Sequence, residues 1–169
     1  MKKILCAALL LFLSIPLFAE SLPGASVSIE AGIPSFSGGL SDGFLTVGAK
    51  RMLWGDVFGI SAGAGYMSAF QDRGFVLPVT LVCTPLSTLV SPELFFGPAF
   101  SWNHYDAHTS HDRKSRVFDA GADACFEFGG GVVVRPESAP VVVGARVHCY
   151  TDFSGATQGL VAFSAGYCF

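Results

Sequence analysis

Apolar and polar residues alternate along most of the chain after about residue 24, and a period of two predicts strands with two different faces. Glycine-rich or polar segments separate eight such stretches, at 25–31, 44–50, 58–66, 75–82, 93–102, 118–128, 141–148 and 160–169. The cleanest is 118–128, where the apolar face of Phe118, Ala120, Ala122, Ala124, Phe126 and Phe128 opposes Asp119, Gly121, Asp123, Cys125 and Glu127.

Composition decides which kind of β-protein this pattern indicates. Hydrophobic residues make up 51% of the chain and charged residues only 14%, against about 25% charged in soluble domains. After the first twenty residues, no apolar run reaches the ~18 residues of a spanning helix. A closed barrel is the other structure that satisfies every backbone group in lipid. The fold class predicted is all-β, an eight-stranded antiparallel transmembrane β-barrel with both termini periplasmic.

The connections between the predicted strands differ in character. Those after strands two, four and six are tighter or carry turn residues, whereas those after one, three, five and seven are more polar. In outer-membrane barrels the short turns are periplasmic and the long loops extracellular. A periplasmic lipocalin- or avidin-like barrel, or a β-sandwich, is the alternative fold.

The first residues have the features of an export signal. Lys2 and Lys3 supply the positive start, and an apolar segment follows over 4–18. Cleavage after Ala19 would leave Glu20 as the mature start. The predicted organisation is therefore a cleaved signal peptide, 1–19, and a single barrel domain, 20–169.

The last strand alternates apolar residues up to an aromatic C-terminus, with Val161, Phe163, Ala165, Tyr167 and Phe169 on one face. In this respect the chain resembles the small eight-stranded outer-membrane proteins, the family of the OmpA transmembrane domain and of OmpX and OmpW. The resemblance implies a bacterial outer-membrane location. It also implies that the barrel-assembly machinery reads the terminal strand, with Phe163, Tyr167 and Phe169 as the signal.

The few charged residues of the strands fall on the face predicted to point into the lumen. They are Glu30, Lys50, Glu93, Asp119, Asp123, Glu127, Arg146 and His148. Pairing strands six and seven about the turn at 135–138 places Glu127 close to Arg146. Because buried charges need partners, the favoured interpretation is an ion-pair network that fills the barrel. The alternative is a polar path for ions or protons, since several inward positions are glycine.

The longest polar segment, 103–116, joins strands five and six. It contains His104, His108 and His111, whose imidazoles are candidate ligands of zinc, copper or nickel; a solvated loop with incidental histidines is the favoured interpretation. As the longest exposed segment, it is also the best candidate for contact with a host or surface ligand. The net charge of −3 does not indicate the basic surface that binds nucleic acid.

Four cysteines remain after cleavage, Cys83, Cys125, Cys149 and Cys168, and each falls in a different predicted strand. They are predicted to be free thiols that act as small hydrophobes. The chain has no GxSxG, P-loop or HExxH motif, so the sequence predicts no enzyme and no cofactor.

These features predict an outer-membrane barrel with a structural or surface-interaction role, in adhesion or membrane integrity, exerted through its extracellular loops. Its partners would be outer-membrane lipid, the assembly machinery and a surface ligand at 103–116. Two alternatives remain open at this point. One is a narrow channel for small hydrophobic molecules or ions, and the other is a periplasmic lipocalin-like ligand-binding barrel.

Overall fold

The structure, a computed structural model, describes residues 24–34, 43–69, 72–86, 88–104, 121–136, 139–151 and 157–169. Its elements are eight strands: β1 (Ala25–Pro34), β2 (Gly43–Trp54), β3 (Phe58–Ala69), β4 (Asp72–Cys83), β5 (Val90–His104), β6 (Gly121–Val134), β7 (Val141–Thr151) and β8 (Thr157–Cys168). Each strand pairs antiparallel with its neighbours along the chain, and β8 returns to β1, so the sheet is a closed barrel. The predicted fold class is confirmed. Among the described residues, no helix is both long and apolar enough to cross a membrane.

The barrel closes where the two ends of the described chain meet. Ser26 of β1 pairs with Cys168 of β8, and the pairing continues to Pro34 and Leu160. The amide of Phe169 extends the seam by donating a hydrogen bond of 2.9 Å to the carbonyl of Ala25. The end of the barrel at which β1 begins and β8 ends, and which also carries the turns after β2, β4 and β6, is called the terminus end below. The opposite end, where β1, β3, β5 and β7 end and β2, β4, β6 and β8 begin, is called the loop end.

The connection between β3 and β4 differs from the prediction. The polar residues 68–74 indicated a loop, but β3 continues to Ala69 and β4 begins at Asp72, so only 70–71 connect them. Ser68 pairs with Arg73 across this hairpin. The predicted loop over 68–74 is therefore wrong in extent, because backbone pairing at a barrel rim tolerates polar side chains. The predicted strand residues 118–120 lie outside the described residues.

The predicted facing of the strands is confirmed. Phe163 and Tyr167 are exposed on the outer surface, whereas Ser164 between them is buried. On β4, where both faces are apolar in sequence, Phe75 points outward at 57% exposure and its neighbour Val76 inward at 1%. The outer surface carries large apolar side chains and the inner surface carries the charges. A soluble barrel such as a lipocalin would have the opposite distribution.

The interior is divided into two layers along the barrel axis. Toward the loop end lies a buried apolar cluster, called here the apolar plug, formed by Phe44, Met67, Val76, Ala99, Cys125, Tyr150, Leu160 and Ala162. Between this plug and the terminus end lie the buried carboxylates and basic side chains. The plug forms because each member occupies an inward position in the loop-end half of its strand.

Candidate functional site: the barrel lumen

A chain of ion pairs crosses the lumen and joins strands that are distant in sequence. Lys50 of β2 places its Nζ 2.5 Å from Glu93 Oε2 on β5. Arg146 of β7 contacts the other oxygen of that carboxylate, with Nη2 2.5 Å from Oε1. The same guanidinium pairs with Glu30 of β1. One arginine therefore holds two buried carboxylates, and the network ties β1, β2, β5 and β7 together through the interior.

His148 continues the chain of contacts on the same strand as Arg146. Its Nδ1 lies 2.7 Å from Glu127 Oε1 on β6. Its Nε2 lies 3.3 Å from Glu30 Oε2 but without the geometry of a hydrogen bond, so we regard this second contact as electrostatic only. Phe95 and Phe44 pack against the imidazole, with ring centroids 4.8 and 5.6 Å away. The ring is thereby fixed between two carboxylates and two aromatic side chains.

Tyr150 is a member of this network that the sequence analysis missed. Its hydroxyl donates a hydrogen bond of 2.9 Å to Glu127 Oε1, and its ring belongs to the apolar plug. The alternation along β7 could have identified it, because Tyr150 lies two residues after His148 and therefore on the same inward face as His148 and Arg146. The predicted strand ended at 148, however, and the polar residues that follow indicated a loop. Tyr150 links the apolar plug to the charged layer.

The predicted contact between Glu127 and Arg146 is wrong. In the β6–β7 hairpin Glu127 pairs with Tyr150, and Arg146 pairs with Gly131. The ladder ends at Val134 and Val143, so the connection is longer than the predicted turn at 135–138 and shifts the register. In the observed register Glu127 contacts His148 and Tyr150. Arg146 contacts the carboxylates of Glu30 on β1 and Glu93 on β5.

The remaining predicted site residues fall at the limits of the described chain. Asp119 lies outside the described residues. Asp123 is in β6 opposite Ser101, but its side chain is not described. The same holds for His104 at the end of β5, while His108 and His111 lie outside the described residues. Within the described residues, no group of three or more His, Cys, Asp or Glu side chains is placed to hold a metal ion. The histidine metal site therefore stays a prediction.

A small polar cavity of about 50 Å³ adjoins the ion pairs. Its lining includes Thr46, Thr80, Ser61 and Gly63 as well as the carboxylates of the network. At roughly 10–15 Å³ for each water molecule, the cavity has room for about three to five. Thr46 Oγ1 is buried and has no hydrogen-bond partner in the described part of the protein, so we expect a water there. The ion pairs brace the lumen, and the cavity beside them is large enough to hold water.

The thiols are free, as predicted. Cys83, Cys125, Cys149 and Cys168 lie on four different strands and form no disulfide with one another. Cys125 is fully inside the apolar plug, where its Sγ lies 3.5 Å from the carbonyl oxygen of Ala99. This is the packing of a small apolar side chain with one weak hydrogen bond.

Of the comparisons with known proteins, only the one with solved structures identifies the fold. No family model matches the chain, and no curated protein does. The N-terminal β-barrel domain of Pseudomonas aeruginosa OprF superposes with a TM-score of 0.63 at 10% identity, over 86% of this chain and 97% of that one. Neisserial surface protein A gives 0.65 at 11% identity, with the same coverage of both chains. The outer membrane enzyme PagL gives 0.52 at 12% identity, over 85% of this chain and 99% of that one.

These likenesses confirm that the chain has the fold of the small eight-stranded outer-membrane β-barrels. The predicted outer-membrane location agrees with them and with the apolar outer surface. They also correct the sequence analysis, which predicted no enzyme. PagL is an outer membrane enzyme with this fold, so the absence of familiar catalytic motifs gave no ground for excluding enzymatic activity.

Proposed function

We propose that this protein is a structural outer-membrane barrel with a closed lumen, which acts in adhesion or membrane integrity through contacts made at its loop end. The observation that carries the proposal is the filled interior. Two layers lie in series along the axis, the apolar plug and then the ion-pair network. An ion that entered from the loop end would have to leave water among fully buried apolar side chains, which is strongly unfavourable.

The closed lumen predicts that the purified protein forms no channels. In planar bilayers we expect no reproducible single-channel current steps from the wild-type barrel. The double variant F44A/L160A removes two large members of the apolar plug and should produce small steps. The matched control is L45A/V161A, which truncates the sequence neighbours of those residues on the outer face and should stay silent.

Migration of the folded, heat-modifiable band on a gel confirms that each variant is a barrel before its currents are interpreted. Reproducible steps from the wild-type protein would overturn the closed lumen. They would favour the second candidate function, a narrow path for ions or protons, which the polar cavity of about 50 Å³ supports.

The proposed contact surface is the segment 103–116, most of which lies between β5 and β6, outside the described residues. Its Arg113, Lys114 and Arg116 are sites for trypsin. On intact cells we expect trypsin to cut at these positions, because the connection between β5 and β6 belongs to the loop end. Permeabilised cells provide the control for access. Cleavage at 113–116 in permeabilised cells but not in intact cells would place the loop end in the periplasm and refute this orientation.

We propose further that the barrel-assembly machinery recognises β8 during folding. The exposed rings of Phe163 and Tyr167 on the outer face, and the contact between Tyr167 and Phe169 at 5.0 Å between ring centroids, support this. These three aromatics form one apolar ridge that ends at the chain terminus. The ridge is accessible before β1 and β8 close the barrel.

A further inference from the structure

The buried charges of the described lumen do not balance. Three carboxylates face the interior, those of Glu30, Glu93 and Glu127, and each residue is more than nine-tenths buried. Two permanently charged cations face them, Lys50 and Arg146. Counted with an uncharged imidazole at position 148, the described network is therefore one positive charge short of neutrality. A buried charge without compensation is strongly unfavourable, so the lumen requires a further positive group.

The hydrogen bonds of Glu127 fix which nitrogen of His148 carries a proton. Glu127 Oε1 accepts from the Tyr150 hydroxyl over 2.9 Å and lies 2.7 Å from His148 Nδ1. An ionised carboxylate can only accept hydrogen bonds, so Nδ1 is the donor in this pair. The second ring nitrogen, Nε2, is the one whose partner is missing.

That second nitrogen faces another acceptor. His148 Nε2 lies 3.3 Å from Glu30 Oε2 without the geometry of a hydrogen bond, and it has no hydrogen-bond partner among the described residues. A proton on Nε2 would be a buried donor without an acceptor, which is costly. Without that proton, its lone pair and the carboxylate oxygen lie side by side, and both attract a positive group. Arg146 pairs with the other oxygen of Glu30, Oε1, and so does not fill this position.

Thr46 brings a third acceptor to the same place. It is the cross-strand partner of Glu30 in the β1–β2 ladder and is only 4% exposed. Its Oγ1 is buried and has no hydrogen-bond partner in the part of the chain that the structure describes. Glu30, Thr46 and His148 all line the polar cavity of about 50 Å³. That volume has room for one small ion together with the water expected beside Thr46.

We propose that the lumen binds one small monovalent cation, of the class of Na⁺, K⁺ or NH₄⁺, in the cavity between Glu30, Thr46 and His148. One such ion supplies the missing charge, whereas water alone would satisfy Thr46 and leave the carboxylate charge uncompensated. A divalent ion would overshoot neutrality. The described residues bring together no set of three His, Cys, Asp or Glu ligands, and carboxylate and hydroxyl oxygens suit hard cations.

The site is measured through its effect on unfolding, because an ion that binds only the folded barrel stabilises it. The wild-type barrel is unfolded with urea in phosphatidylcholine vesicles while NaCl, KCl or NH₄Cl replaces N-methyl-D-glucamine chloride at constant ionic strength. Each tenfold increase in the bound cation above its dissociation constant should lower the unfolding equilibrium constant about tenfold. The ion is released on unfolding, so the measurement requires no path through the folded lumen.

The variants T46V and T84V form a matched pair. Both threonines are buried and have an Oγ1 without a hydrogen-bond partner among the described residues, but of the two only Thr46 lines the cavity. In N-methyl-D-glucamine chloride each variant should be at least as stable as wild type, because an unsatisfied hydroxyl is removed. T46V should then require several-fold more cation for the same stabilisation, whereas T84V should respond as wild type does.

The variant E127Q tests the charge balance. Its amide oxygen can still accept from His148 and Tyr150, but the excess negative charge is gone, so the response to cations should be lost. If E127Q does not fold, as judged by the heat-modifiable band, the comparison of T46V with T84V decides alone.

Equal stability of the wild-type barrel in all four chlorides would overturn the proposal, since no small cation would then bind. A wild-type response retained unchanged in T46V would also overturn it, because the ion would then bind elsewhere. The inference does not depend on the proposed function. Neither result alters the bilayer currents expected of a closed lumen, so failure of the cation site and failure of the closed lumen are distinguishable.

Discussion

Replacing Arg146 with methionine is expected to lower the free energy of unfolding by about 3–5 kcal/mol, the range for breaking a buried ion pair. The guanidinium contacts Glu30 and Glu93, and both carboxylates are more than nine-tenths buried. With Arg146 gone, Glu30 would lose its ion pair to an arginine, and Glu93 would keep only Lys50. The measurement is urea unfolding of the barrel in phospholipid vesicles, followed by tryptophan emission.

Two variants separate this effect from simple loss of an arginine. Arg51 follows Lys50 in β2 and is exposed on the outer face of the barrel. R51M should therefore change the free energy of unfolding by less than about 1 kcal/mol. The double variant R146M/E30Q removes the carboxylate charge that R146M leaves without an arginine partner and should recover about 1–2 kcal/mol. Unchanged stability in R146M, together with unchanged bilayer currents, would mean that the ion pairs neither brace nor gate the lumen.

Replacing Gly129 with alanine is expected to cost about 1–3 kcal/mol, the range for overpacking. A Cβ at this position would meet the backbone oxygen of Val147 and lie 2.5 Å from Cζ of Phe95. A backbone oxygen in the barrel wall cannot move without shifting the β6–β7 pairing. Phe95 in turn packs on His148, so the displacement would spread to the ion-pair network. Urea unfolding in vesicles measures the loss.

Gly43 provides the matched control for this substitution. It also lies in a strand, β2, but a Cβ there would meet no heavy atom within 4 Å. G43A should therefore leave the free energy of unfolding unchanged, or raise it by up to about 1 kcal/mol, because alanine reduces the conformational freedom of the unfolded chain. Equal losses in G43A and G129A would show that glycine matters here for strand propensity alone, and would contradict the steric explanation.

The lumen site shows which contacts could be predicted and which could not. Inward parity alone identified Glu30, Lys50, Glu93, Glu127, Arg146 and His148, and the structure brings all six into one network. Their partners were not predictable in the same way. The length of the β6–β7 connection sets the register, and four residues of difference moved the partner of Glu127 from Arg146 to Tyr150.

The apolar plug was hidden from the sequence for a related reason. Phe44, Met67 and Leu160 occupy positions near the ends of three strands, and nothing in a linear pattern shows that they meet. They come together only because the barrel closes and stacks the inward side chains of all strands at one level.

The sequence by itself determined the strands, their number and the face on which each side chain lies. A strand has a period of two, so the face of a residue depends only on its own neighbours. The tertiary structure decided the register, the ion pairs and the two layers of the lumen. Those features depend on how far each strand slides along the next, and closure of the barrel fixes that displacement for all eight strands together.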